Sequence, residues 1–157
     1  MRILVPDGTV TGHVDIRKPF RIEIEYAVLQ TLPLFRIGLQ LSTSDGTIVF
    51  TTSNSTDPRY EAKPCAPGVY ATSCLVPGSL LNEEFYSIRL SADIPFQKAL
   101  FVEDGALGFS VEQTSDSHAR FPEKWPGVVC PHFEWQTRFK NDVASQVLRN
   151  TIGVGGP

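Results

Sequence analysis

The sequence has no excess of basic residues and no long apolar run. Its 157 residues carry 14 Lys and Arg against 17 Asp and Glu, a formal net charge of -3. Because the cations are scattered, no basic stripe is available for a phosphate backbone, and we expect no nucleic-acid partner. No stretch approaches the roughly 20 apolar residues that a membrane span needs, and the N-terminus does not have the pattern of a signal peptide. We therefore expect a cytoplasmic protein.

Cysteine is also scarce. The chain has three cysteines, Cys65, Cys74 and Cys130, and no two of them form a C-x-x-C pair, so neither a disulfide framework nor a zinc site is indicated. We expect reduced thiols in or near the core, and a single Cys65–Cys74 disulfide is the alternative. The three histidines are likewise isolated along the chain, and we predict no metal site.

The signatures of the common enzyme classes are missing. The sequence contains no Gly-Lys dipeptide, so the phosphate-binding loop of the P-loop ATPases is absent from this chain. Adjacent carboxylates occur at Glu83-Glu84 and Glu103-Asp104, but neighbouring residues of a strand point to opposite faces and cannot flank one glycosidic bond together. We interpret both pairs as solvated loop charges, and we predict neither an enzyme nor a cofactor.

Alternation of apolar and polar residues is the main pattern that the sequence does contain. It predicts half-buried strands at FRIEIEYAV (20–28) and FRIGLQL (35–41), and Ser44-Asp45-Gly46 predicts a hairpin turn after the second. Further strands are predicted at 47–53, 69–77, 85–92 and 107–113. This pattern predicts an all-β, antiparallel β-sandwich of the immunoglobulin-like or jelly-roll type. We expect the sandwich to cover residues 1–140, and a short helix or flexible tail to cover 141–157.

Three stretches have an order and a spacing that together are typical of one family. The first combines KPFRIEIEY (18–26) with DGTIVFTTSN (45–54). The second, which is more specific, is PGVYATSCLVPGSLLNEEFYSIRL (67–90), followed by VEDGALGFSVE (102–112). The third, WPGVVCPHFEW (125–135), resembles the closing segment W-P-G-V-V-x-P-x-x-x-W. With these stretches the chain resembles the C-terminal carbohydrate-binding domain of Wzt-type ATPases, which serve ABC transporters that export O-antigen and related polysaccharides.

The resemblance implies a sandwich that dimerises, often by exchanging a terminal strand, and that binds the exported, lipid-linked polysaccharide. It also implies contact with the membrane subunit of the transporter through the parent ATPase, at the cytoplasmic side of the inner membrane. Trp125, Pro126, Gly127 and Trp135 match the closing segment of the family. Because large aromatic residues beside Pro-Gly usually pack, we expect these four to hold a terminal strand or a dimer interface.

A glycan site needs planar polar side chains for paired hydrogen bonds and an aromatic or aliphatic platform for the sugar ring. By strand parity, Arg36, Gln40, Phe85 and Arg89 lie on outer sheet faces, and we predict that they bind carbohydrate. The alternative is that charged residues on these faces only solvate the sheet through cross-strand pairs. The predicted function is a non-catalytic glycan-binding domain, and the alternative is a dimerisation or scaffold domain of the transporter ATPase subunit.

Overall fold

A computed structural model describes residues 1–113 and 126–139. The predicted helix or tail at 141–157 and the predicted packing residue Trp125 lie outside the described residues. Within these ranges the strands are β1 (Arg2–Leu4), β2 (His13–Asp15), β3 (Phe20–Val28), β4 (Arg36–Thr43), β5 (Ile48–Ser53), β6 (Gly68–Val76), β7 (Glu84–Ile94) and β8 (Lys98–Glu112). A short 3-10 helix, Asn54–Thr56, follows β5.

The strands form two sheets. The small sheet has the order β1-β3-β6, and the large sheet has the order β2-β8-β7-β4-β5. All pairs of these strands are antiparallel except β2 and β8, which run parallel over His13–Asp15. The predicted all-β sandwich is confirmed. The pattern does not predict β2, because a strand of three residues is too short to show alternation.

The core lies between the sheets and is built from every second residue of the longer strands. The ring of Phe20 on β3 meets that of Phe109 on β8 edge to face, with centroids 5.2 Å apart. The fully buried side chains include Ile22, Leu41, Tyr86 and Ile88. Full burial of each apolar side chain of this size stabilises the folded state by about 1.5–3 kcal/mol. Because strand side chains alternate, burying these residues places the intervening ones on the outer faces.

The turn between β4 and β5 forms as predicted. The Asp45 carboxylate accepts hydrogen bonds from the Thr47 amide at 3.0 Å and from the Thr43 hydroxyl at 2.5 Å. Gly46 has a φ of +87°, a left-handed conformation that glycine adopts without steric cost. The local bonds and the glycine therefore fix this hairpin.

Strand β8 is much longer than the predicted strand at 107–113. It pairs with β7 from Lys98 onward, but the register shifts, because Ile88 faces Leu107 while Leu90 faces Glu103. The extra residues of β8 form a bulge that interrupts the alternation, so the pattern becomes regular only after it. The interpretation of Glu103 and Asp104 as loop charges is wrong, because both belong to β8, and Glu84 begins β7.

All three cysteines are free and half-buried. The alternative Cys65–Cys74 disulfide is therefore not formed in this structure. Burial raises the pKa of the Cys74 thiol, which disfavours the reactive thiolate. The prediction of ordinary thiols at the margin of the core agrees with these positions.

Gly78 should not tolerate a side chain. A Cβ atom at this position would lie 2.1 Å from the carbonyl oxygen of Arg17 and 2.6 Å from its carbon. Since this obstacle is backbone, we expect Gly78→Ala to lower the free energy of unfolding by about 1–3 kcal/mol in urea titrations. Gly12→Ala is the control, because a Cβ there meets nothing within 4 Å. Equal stability of the two variants would contradict this reading of the contact.

The Tyr86 side chain links the core to the segment after residue 125. Its ring is fully buried, and its hydroxyl oxygen lies 2.9 Å from the carbonyl oxygen of Asn82 and 3.1 Å from that of Val128. Burial raises the pKa of Tyr86 to about 12, and the hydrogen bond to Asn82 opposes this shift. The neutral phenol is therefore the form that the folded protein favours.

This pKa predicts a loss of stability at alkaline pH. An unfolded tyrosine ionises near pH 10, so the stabilisation by neutral Tyr86 is complete below pH 10 and is lost as the pH rises through about 12. We expect the stability advantage of the wild type over Tyr86→Phe to shrink by about 2 kcal/mol between about pH 9 and pH 12. Urea titrations of both proteins measure this difference, and a pH-independent difference would refute the assignment to Tyr86.

Candidate functional site

The four predicted carbohydrate-binding residues all lie on the outer face of the large sheet. Arg89 on β7 stands directly opposite Gln40 on β4, so these two side chains are neighbours. Phe85 and Arg36 lie toward opposite ends of the face, because Arg36 stands opposite Asp93 on β7. At about 3.3 Å per residue, each is about 13 Å from the Arg89 row. Phe85 and Arg36 therefore lie on opposite sides of the Gln40–Arg89 row, at similar distances from it.

The Phe85 ring lies over the backbone of β8. A Cβ atom at Gly108 would stand 2.5 Å from the ring Cζ atom, so the ring occupies the space that a side chain would fill. The ring is held against the sheet in this position, while Phe85 remains 49% exposed. A glycine in a strand can mark such a close approach, and this is the sequence signal that identifies Gly108 as a site residue.

Small side chains separate Phe85 from the row of Arg89 and Gln40. Ser87 is the intervening outer-face residue of β7, and it stands opposite Ser42 of β4. Along the outer face, the two serines lie between Phe85 on one side and Gln40 and Arg89 on the other. We call these five residues the trough.

Several polar groups of the trough have no protein partner. Among the described residues, the side chains of Gln40, Ser42 and Ser87 make no hydrogen bond. The Gln40 amide offers two N–H donors and one acceptor oxygen, and each serine hydroxyl both donates and accepts. Water occupies such groups in the free protein, so a ligand that carries hydroxyl groups can replace it.

The charged groups of the outer face are paired, as the alternative interpretation predicts for a solvated sheet. Arg36 donates two hydrogen bonds to Asp93, at 2.9 Å from Nε and 2.5 Å from Nη2. Arg89 Nε lies 3.2 Å from Asp104 Oδ1. The face thus combines fixed ion pairs with free neutral polar groups. Strand parity in the sequence identifies Arg36 and Arg89 as outer-face residues. Their carboxylate partners, on β7 and β8, can be identified only from the register of the paired strands.

A crevice of about 960 Å³ lies elsewhere, between the edges of β5 and β6. It is lined by polar residues that include Thr72, Arg59 and Tyr60. Their side chains are already engaged, because the Thr72 hydroxyl lies 3.3 Å from that of Tyr26 and Tyr60 donates to the carbonyl oxygen of Phe35. These hydrogen bonds already occupy part of the polar lining of the crevice.

The segment 126–130 is tied to the sandwich by backbone bonds. The Asn82 side chain donates to the carbonyl oxygen of Gly127 at 2.7 Å, and the Cys130 amide donates to that of Leu80 at 2.9 Å. Val129 forms an isolated bridge with Leu81. Two of the predicted packing residues, Pro126 and Gly127, lie in this segment and are exposed. Gly127 therefore contributes to the attachment through its backbone.

Residues 131–139 continue as an exposed segment without regular structure, which we call the arm. Trp135, the remaining predicted packing residue, is 90% exposed, and Phe133 is 68% exposed. Neither side chain is packed against the sandwich of its own chain. The arm thus presents apolar aromatic surface to solvent, which is unusual without a partner.

The small sheet has an open edge beside an apolar groove. β1 pairs with β3 over Arg21 to Glu23, and within the described ranges the rest of β3 has no strand on this side. The groove next to it has a volume of about 370 Å³, and Tyr26, Leu100 and Phe101 are among its lining residues. Such an edge can accept an added strand.

No group of three or more His, Cys, Asp or Glu in the described part of the chain is placed to hold a metal ion. Among these same residues, no helix has the length and apolarity to cross a bilayer. On the outer face, Asp93 and Asp104 instead pair with arginines.

Comparison with known proteins gives similarity of structure. No protein-family model matches the sequence, and no curated protein matches it. Several solved structures match, and one of them is a crystal structure of the C-terminal domain of Wzt. Its TM-score is 0.69 at 13% sequence identity, and the match covers 87% of this chain and 80% of that one. In agreement with the resemblance of its sequence, the chain has the fold of the C-terminal domain of Wzt.

Proposed function

We propose that the chain is a non-catalytic glycan-binding domain that recognises an exported, O-antigen-like polysaccharide for an ABC transporter. The trough is its binding site. The observation that carries this proposal is the Phe85 ring, which Gly108 allows to lie against β8 near the free hydroxyl of Ser87. An aromatic platform next to unpartnered donors and acceptors meets both requirements of a sugar ring.

The two ends of the trough have different roles in this proposal. The exposed side of the Phe85 ring packs against the C–H groups on one face of a sugar. Gln40 and Arg89, about 13 Å from Phe85 along the sheet, bind hydroxyl groups of the adjoining part of the glycan, and the small serine side chains leave room for it. Since these residues lie on the outer face of a sheet, the site accepts an internal part of a glycan chain.

The fold and the sequence resemblance support a place in a polysaccharide exporter. Both point to the C-terminal domain of Wzt, which implies a parent ATPase that carries the domain. In that setting the domain contacts the lipid-linked glycan at the cytoplasmic side of the inner membrane. It associates with the membrane subunit of the transporter through the ATPase.

Saturation-transfer NMR against the surface polysaccharide of the source strain tests the site. We expect Phe85→Ala to weaken binding by about tenfold, because the platform is removed. Gly108→Ala should weaken it similarly, because the new methyl group displaces the ring. Phe96→Ala is the matched control, since Phe96 is a fully exposed phenylalanine at the β7–β8 turn. Equal binding by all four proteins, wild type included, would contradict the trough as the site.

We further propose that the domain is a homodimer held by the arm. The exposed Phe133 and Trp135 suit contact with a second copy, because aromatic residues dominate the energetics of protein interfaces. The open edge of β3 and its apolar groove are available to receive an extended segment. This contact is compatible with glycan binding, because the trough lies on the other sheet.

The alternative function is a scaffold domain that dimerises within the ATPase subunit and binds no glycan. The ion pairs of the outer face favour it, since Arg36 and Arg89 already have carboxylate partners. A folded, dimeric protein that gives no saturation transfer with any surface polysaccharide would favour this role over glycan binding.

Substitution of the arm tests dimerisation. We expect the double variant Phe133→Glu/Trp135→Glu to raise the dimer dissociation constant by about tenfold or more, because two charges enter an apolar contact. Sedimentation equilibrium measures this constant. The control Val10→Glu/Phe96→Glu places the same charges at exposed apolar positions outside the arm. A wild-type monomer, or an equal effect of both double variants, would contradict the role of the arm.

A further inference from the structure

Both arginines on the described outer face of the large sheet lie beside a carboxylate of a neighbouring strand. The pairs are Arg36 with Asp93 and Arg89 with Asp104. The carboxylates come from β7 and β8, and the arginines come from β4 and β7. Each arginine charge on this face is therefore balanced by an adjacent carboxylate.

The first pair has a rigid geometry. Arg36 uses Nε and Nη2 to hold both oxygens of Asp93, at 2.9 Å and 2.5 Å. The two residues are direct cross-strand neighbours. This two-point contact fixes the guanidinium plane, and its remaining N–H groups point away from the carboxylate.

The second pair borders the trough. Asp104 belongs to the bulge of β8, between the register positions Glu103 and Leu107, and its Oδ1 lies 3.2 Å from Arg89 Nε. Without the bulge, strict alternation would not place a carboxylate here beside Arg89. The extra residues of β8 thus supply the counter-charge at the site where Arg89 would meet a ligand.

We propose, on the basis of the glycan-binding function above, that the trough selects neutral polyhydroxylated glycans and discriminates against acidic ones. A uronic acid or phosphate group that approaches Arg89 also approaches Asp104, so attraction and repulsion largely cancel. The anion loses its hydration without gaining an unpaired cation. A neutral sugar avoids this cost, because no charge is desolvated.

The same pair also offers positive recognition of a neutral sugar. A guanidinium group beside a carboxylate presents N–H donors next to oxygen acceptors. Neighbouring hydroxyls of a sugar ring can each donate and accept, so two of them match this arrangement. Gln40, opposite Arg89, adds one more donor and acceptor pair without adding charge.

Binding to a printed array of bacterial surface polysaccharides, each classed as neutral or acidic from its composition, tests the inference. We expect the wild-type domain to bind neutral members with at least about tenfold higher affinity than acidic ones. Affinity for the best neutral member should stay constant from about 0.05 to about 0.5 M NaCl, because an uncharged ligand leaves little to screen.

Asp104→Asn provides the decisive variant, because it leaves Arg89 without its counter-charge. Asp104 is highly exposed, so the domain should remain folded. We expect its affinity for acidic glycans to rise by about three- to tenfold and to become salt-sensitive. The control Asp57→Asn removes the same charge from another ion pair, that of Asp57 with Arg59, in the segment after β5. It should leave the preference unchanged.

The outcomes separate the two proposals. Binding to no polysaccharide on the array would overturn the glycan-binding function, and with it this inference. Preferential binding to acidic members by the wild type would overturn the inference alone. Equal gains in acidic binding by Asp104→Asn and Asp57→Asn would also overturn it, because the effect would then follow total charge and not the pair at the trough.

Discussion

The register of β7 is the constraint on which the core and the candidate site both depend. β7 lies between β4 and β8, and its inward-facing residues include the buried Tyr86, Ile88 and Ile94. A slip of one residue would move Phe85 and Arg89 into the core and these side chains into water. Each of the buried side chains stabilises the present register by about 1.5–3 kcal/mol. The core therefore holds the outer-face residues in place before any ligand arrives.

Period-two alternation was sufficient to predict this division of faces. Long regular strands such as β3 and β4 follow the pattern closely, and Gln40 and Arg89 are on the outer face as parity requires. The bulge in β8 could not be predicted in this way. The extra residues at Asp104 interrupt the local alternation, and only the pairing with β7 shows that they belong to a strand. The short β2 depends on contacts distant in sequence and has too few residues to form a pattern.

The residues of the candidate site could also be predicted only in part from strand alternation. Parity could nominate Phe85, but the reason for its position is Gly108, which comes under the ring only when β7 and β8 have paired. The carboxylate partners also depend on strand pairing, because Asp93 meets Arg36 across β4 and β7 and Asp104 meets Arg89 across β7 and β8. Sequence alone therefore identified candidate ligand contacts, while their orientation and charge environment required the tertiary structure. Arg36, nominated with the others, is too far along the sheet to share one sugar with Phe85.

A shallow trough and an exposed arm are complementary parts of one binding strategy. Sugar hydroxyls exchange hydrogen bonds with water for hydrogen bonds with protein, so each contact gains little net free energy, and one open site binds weakly. A polysaccharide repeats its unit many times, and the proposed dimer would present two troughs to the same chain. The second contact then forms at a high effective concentration, so two weak contacts together bind the chain more tightly than one open site does alone. An open trough suits such a ligand, because a closed pocket would admit only the end of the chain.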